Sequence, residues 1–191
     1  MPDVQSQNIF QTVSPSNPLA QLHADIDARV QSIRESRPDW LCRRGCSACC
    51  HRLAEIPQLT TAEWELLKQG LEALPADESD VIRERVLALA KHPSRPILCP
   101  MLDEISGVCR VYPYRPVACR TYGFFVERDL GLYCKDIETQ VERGDLSMVI
   151  WGNQDRVSRD LKELGAIREL TEWFQTFKND ANSGFQDPGF T

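Results

Sequence analysis

The sequence predicts a mainly α-helical single domain of about four helices, with an irregular cysteine-rich segment packed against them and at most one short hairpin. Three observations predict it. Apolar residues recur at helical spacing in four separate stretches. Those stretches begin or end on residues that cap or break helices. Between the third and the fourth, Pro96, Pro100, Pro113 and Pro116, with Gly107, Gly123 and Gly131, leave room only for loops and short strands.

The first helix opens at Asn17-Pro18, a capping residue followed by proline at the first helical position. It carries Leu19, Leu22, Ile26, Val30 and Ile33 at helical spacing until Arg37-Pro38 stops it. The second opens on a capping box, Thr60 with Glu63 three residues on, and runs through Trp64, Leu67 and Leu71 to about Leu74. The third extends from about Glu78 to Lys91 with Val81, Ile82, Val86, Leu87 and Leu89, and His92-Pro93 is expected to end it. The fourth is expected as one long helix from Gln154 to Lys178, with Val157, Leu161, Leu164, Ile167, Leu170, Phe174 and Phe177 on one side. Residues 1–17 read as a flexible lead, 18–179 as the single domain and 180–191 as a flexible tail.

At 191 residues, 42% hydrophobic, the chain is long enough to bury a core without help. A formal charge of −6 disfavours a nucleic-acid partner, which needs clustered excess Lys and Arg. The opening MPDVQSQNIFQTVSPSNP has an acid at its third residue and no apolar run, so it is not read as a secretory signal. No stretch approaches the roughly 18 apolar residues of a membrane span. A cytoplasmic location without membrane association is therefore expected, and thiols there stay reduced. No nucleophile–base arrangement, paired carboxylates or phosphate loop is apparent, so no reaction and no catalytic residue is assigned; a protein partner is left open.

The chemistry lies in eight cysteines, spaced C-x3-C-x2-C-C at Cys42, Cys46, Cys49 and Cys50, then Cys99, Cys109, Cys119 and Cys134. In a reducing compartment such a set reads as ligands for a metal ion, and a metal bridging distant segments offsets the entropy of closing the loop between them. Were residues 42–50 helical, Cys42 and Cys50 would lie about 12 Å apart along the axis, beyond the reach of one ion. Gly45 disfavours that helix, so a loop is expected in which Cys46 and Cys49 converge while Cys50 points elsewhere. Two sites drawing on both cysteine groups, or one site with spare thiols around it, both fit. The segments Cys42–Arg52 and Cys109–Arg120 each hold three arginines and no acid. Arg43, Arg44, Arg110 and Arg120 are the candidates to lower thiol pKa values and to screen an anionic metal–thiolate centre. His51, beside Cys50, is read as a neighbour and not a ligand, and His23 and His92 as structural; the aromatic run Tyr112, Tyr114, Tyr122, Phe124 and Phe125 is read as packing around the cysteines.

Two segments carry a family resemblance: Cys46-Ser47-Ala48-Cys49-Cys50, and then Cys99-Pro100-Met101-Leu102-Asp103, Cys109-Arg110-Val111-Tyr112, Arg115-Pro116 and Cys119-Arg120. Over residues 40–135 the chain resembles the YkgJ-type cysteine-cluster family, zinc- or iron-chelating domains also found in flagellin lysine-N-methylase-like proteins. The resemblance implies chelation by Cys46, Cys49, Cys50, Cys99, Cys109 and Cys119, with Cys42 and Cys134 as additions. It implies no reaction, and methylation is not carried over because the chain lacks a glycine-rich S-adenosylmethionine loop. The expected occupant is an iron–sulfur cluster or Zn²⁺, with iron preferred because only one C-x2-C is present where zinc ribbons pair two. The competing class is an iron–sulfur oxidoreductase or electron carrier.

Overall fold

The computed structural model describes residues 17–91 and 95–181, so the expected lead, the tail beyond residue 181 and the His92-Pro93 stop lie outside the described residues. Helix α1 (Pro18–Ser36) begins where Asn17 accepts the Leu19 amide, and its buried stripe is Leu19, Leu22, His23, Ile26, Val30 and Ile33. Helix α2 (Thr61–Glu72) starts on the complete capping box of Thr60 and Glu63, and α3 (Ala76–Lys91) continues the chain after a short turn. α1 and α2 match the periodicity that predicts them; in α3 Ile82 and Val86 are buried, whereas Val81 is exposed.

The remainder of the chain corrects the four-helix expectation. Among the described residues there are seven α-helices, one turn of 3₁₀ helix and seven strands in three small sheets. Strands β1 (Gln58–Thr60), β2 (Leu102–Asp103), β3 (Val108–Cys109), β4 (Phe125–Glu127), β5 (Leu130–Gly131), β6 (Gly152–Asn153) and β7 (Ile167–Glu169) are only two or three residues long. So short a strand shows no period in sequence. Helices α4 (Val117–Thr121), α5 (Lys135–Glu142), α6 (Gln154–Lys162) and α7 (Leu170–Ala181) complete the set.

The long helix expected over 154–178 is in fact α6, β7 and α7. Gly165 turns the chain with φ +104°, a conformation L side chains rarely adopt, and a Cβ there would lie 2.8 Å from the Thr61 hydroxyl. β7 then pairs antiparallel with β1, Leu59 opposite Arg168. The apolar stripe that looks continuous in sequence is divided between two cores. Val157, Leu161 and Leu164 pack with α1, Trp40, Val117, Phe124 and Ile137 in a first core. Leu170, Phe174 and Phe177 pack with Leu59, Trp64, Leu67, Ile82 and Val86 in a second.

His23 is 8% exposed in α1, and its Nε2 has no hydrogen-bond partner. Burial, then the nearby Arg120 charge, push its pKa down to about 4 against the opposing pull of Asp27. The unfolded chain takes up this proton near pH 6.5, whereas the folded one does so only near 4. Stability is thus complete above pH 6.5 and falls as the pH drops towards 4, by about 2–3 kcal/mol. Urea midpoints at pH 7 and 4.5 are expected to differ accordingly, and His23→Leu to flatten the dependence; an equal slope in that variant would refute the assignment.

Candidate metal centre

Residues 41–52 form successive turns with no helix or strand, as Gly45 predicts, with Gly45 at φ +90°. The Cys46 amide donates to the Arg43 carbonyl at 2.9 Å, and the His51 amide to the Ser47 carbonyl at 3.1 Å. This loop is tied to the second cysteine group by backbone bonds: Leu53 and Ile97 exchange both of theirs, and the Cys99 amide donates to the Cys50 carbonyl at 2.7 Å. Cys99 leads into the β2–β3 hairpin, where Leu102 faces Cys109. Asp103 makes that hairpin by accepting the Ile105 amide at 3.0 Å on its side chain and the Gly107 amide at 2.8 Å on its carbonyl. α4 carries Cys119, and Cys134 stands at the N-cap position of α5 with no capping bond from its side chain.

These elements bring Cys42, Cys46, Cys49, Cys50, Cys99, Cys109 and Cys119 onto one cavity of about 130 Å³. It lies at the seam of the molecule: Val30 and Phe124 of the first core line one side, and Leu59, Leu67, Met101 and Leu170 of the second line the other. Cys134 stands on an adjoining cavity of about 150 Å³, with Cys42, Cys46 and Cys49. Among the described residues no three His, Cys, Asp or Glu side chains form a group that could hold a metal ion as they stand. The thiols ring the cavities and do not meet at a point. All eight are free, and Cys46 alone among them is exposed.

The arginine candidates separate. Arg43 and Arg120 line the first cavity; Arg44 and Arg110 do not. Arg44 stands 5.2 Å from the Tyr112 ring centre, and Arg110 pairs with Glu78 at 3.0 Å. Arg120 binds Asp27 at 3.0 Å and the carbonyls of Pro113 and Arg115 at 2.7 and 3.1 Å, which fixes the loop leading into α4. Two further cavity arginines are missing from the sequence-based candidates. Arg34 donates to the Cys42 carbonyl at 3.3 Å, and Arg115 stacks 3.6 Å from the Tyr112 ring centre. Arg115 belongs to the Arg115-Pro116 motif, but Arg34 has no local signal, since it reaches the site only because α1 packs on α4. His51 is exposed and lines neither cavity.

The expectation that arginines leave the thiol pKa values depressed is overturned by burial. Burial pushes Cys42 and Cys119 up to about 12 and raises Cys109, outweighing Arg34 and Arg115, which pull the other way. The Cys49 thiol is raised first by its hydrogen bond to Cys50 and then by burial. For Cys50 the bond to Cys49 lowers the value, but the bond to Cys99 and burial prevail, up to about 12. The neighbours acting on each thiol map the cluster: Cys46, Cys49 and Cys134 act on Cys42, whereas Cys49, Cys109 and Cys50 act on Cys119. Without metal these thiols hold their protons at neutral pH, so any metal that binds must displace them.

A family model, CxxCxxCC, described as "Putative zinc- or iron-chelating domain", matches residues 41–143. The chain belongs to the CxxCxxCC family. No curated protein and no solved structure matches it significantly. The CxxCxxCC match spans both cysteine groups and α2 to α5, leaving α1, α6 and α7 as additions that close the two cores. Metal binding is thus the shared property of the CxxCxxCC domain and of this chain, and soft thiol donors are the chemistry that zinc and iron–sulfur centres take. No described helix is long and apolar enough to cross a membrane.

One contact supports the cysteine loop from outside. Gly123, at φ +89°, brings its backbone so close to Cys42 that a Cβ would lie 3.0 Å from the Cys42 sulfur. Gly123→Ala is expected to displace that thiol and cost about 1–3 kcal/mol. Thermal melting together with metal content checks it, and a variant unchanged in both would show that the contact is dispensable.

Proposed function

We propose that the protein holds an iron–sulfur centre on its cysteines, in a reducing compartment, with zinc as the competing occupant. One observation carries the reading: seven of the eight thiols line a single cavity between the two cores. At about 130 Å³ it is several times the roughly 10–15 Å³ that admits one water molecule. Thiols that ring such a space suit a polynuclear centre better than a lone zinc, whose sulfur ligands sit about 2.3 Å from the ion. The ligands proposed are drawn from Cys42, Cys46, Cys49, Cys50, Cys99, Cys109 and Cys119, with Cys134 on the adjoining cavity. Arg34, Arg43, Arg115 and Arg120 would offset the negative charge that thiolates bring.

When bound, such a centre supplies cohesion between the two halves of the fold. The chain's own residues hold it dry on the core sides and open it to solvent at Cys46. That exposed edge favours electron transfer to a partner as a second reading. Anaerobic purification followed by an absorption spectrum, metal analysis and an acid-labile sulfide assay tests both. Brown protein with iron and sulfide is expected; colourless protein with stoichiometric zinc would overturn the iron reading and the redox one with it.

A further inference from the structure

We propose, resting on the metal-binding reading above, that the eight thiols form two adjoining four-thiolate sites. Cys50, Cys99, Cys109 and Cys119 make one, and Cys42, Cys46, Cys49 and Cys134 make the other. The two cavities divide them in this way. Cys50, Cys99, Cys109 and Cys119 line only the first, Cys134 lines only the second, and Cys42, Cys46 and Cys49 stand on the wall between.

The backbone enforces the same division. Cys50 is committed to the first site by the 2.7 Å bond from the Cys99 amide to its carbonyl, and the β2–β3 hairpin sets Cys109 on that side. Cys42 is committed to the second, where its sulfur lies 3.8 Å from the Tyr122 carbonyl and against Gly123, in a cavity shared with Cys134. Cys49 and Cys50 are sequence neighbours whose thiols hydrogen-bond to each other across the boundary between the two sites, and assigning them to different sites avoids the strain of placing adjacent residues on one tetrahedron. Cys46 and Cys49 form the C-x2-C pair that commonly supplies two ligands to one ion.

The packing is divided as well. Cys42 and Cys134 rest on the first hydrophobic core, Cys99 and Cys109 on the second. Each half of the fold therefore carries its own site, and the shared wall of the 42–50 loop joins them.

Native mass spectrometry of the anaerobic, metal-stripped full chain titrated with Cd²⁺, a thiolate-seeking probe, counts the sites directly. Two Cd²⁺ per chain are expected. The Cys42→Ser/Cys134→Ser and Cys109→Ser/Cys119→Ser pairs are each expected to keep one, a twofold loss, and the four combined to keep none. One Cd²⁺ on the wild type would overturn the division while leaving metal binding intact, and no Cd²⁺ would defeat metal binding itself. Two Cd²⁺ retained by either pair variant would also overturn the division. The wild-type count decides even if a variant fails to fold.

Discussion

Cys49→Ser is expected to remove at least half of the bound metal and to destabilise the protein more than any other single cysteine change. Cys49 lines both cavities, and its thiol is an electrostatic neighbour of Cys42, Cys109 and Cys119 alike. A four-thiolate site contributes on the order of 10–16 kcal/mol of apparent binding free energy, so one ligand of four represents roughly 2.5–4 kcal/mol. That corresponds to a fall of about 10²–10³ in affinity. In a chain of this size each kcal/mol shifts the melting temperature by about 2–4 °C, so the loaded variant should melt about 10 °C lower. A chelator-competition titration and a melting curve measure the two effects. His51→Ala, two residues away on the exposed side of the same loop, is the control and should stay within about 0.5 kcal/mol of wild type. If Cys49→Ser binds metal as tightly as His51→Ala does, the centre has been placed on the wrong thiols.

The two kinds of residue behind this prediction were legible in the sequence to different degrees. The cysteines declare themselves by spacing, and the loop that carries the first four is explained by Gly45. α1 and α2 are legible for the same local reason: Asn17, Thr60 and Glu63 accept amides within three residues of themselves, and Pro18 sits at the first helical position. What local pattern cannot show is pairing across the chain. Residues 58–60 meet 167–169 in a strand pair, and nothing in either segment announces the other. The stripe from Val157 to Phe177 reads as one helix because each half is amphipathic, yet the halves face different cores and Gly165 must turn between them. The expected thiol ionisation failed for a related reason. Sequence shows Arg43 and Arg44 next to Cys42, but it is burial, a property of the whole fold, that outweighs the arginines. Arg34 enters the site from α1 by packing alone.

Glu63 combines a local and a distant role, and Glu63→Ala is the second change expected to have a large effect. The carboxylate is 4% exposed. One oxygen accepts the Thr60 amide and the Thr60 hydroxyl, each at 2.9 Å, and the other accepts the Val117 amide at 2.9 Å. The first pair closes the capping box that starts α2; the last crosses to the first turn of α4, the helix that carries Cys119. Removing the side chain strands buried donors, each at a cost of about 1–3 kcal/mol, and Val117 is fully buried. The total expected is roughly 3–5 kcal/mol, a fall in melting temperature of about 10 °C. Glu63→Gln keeps one acceptor oxygen and should recover part of the loss. Because α4 is held at its N-terminus by this one carboxylate, Glu63→Ala should also weaken metal retention, although Glu63 lines neither cavity. Chelator competition run beside thermal melting separates the two consequences: a variant that melts within about 2 °C of wild type would show that α4 is positioned by its packing and not by Glu63.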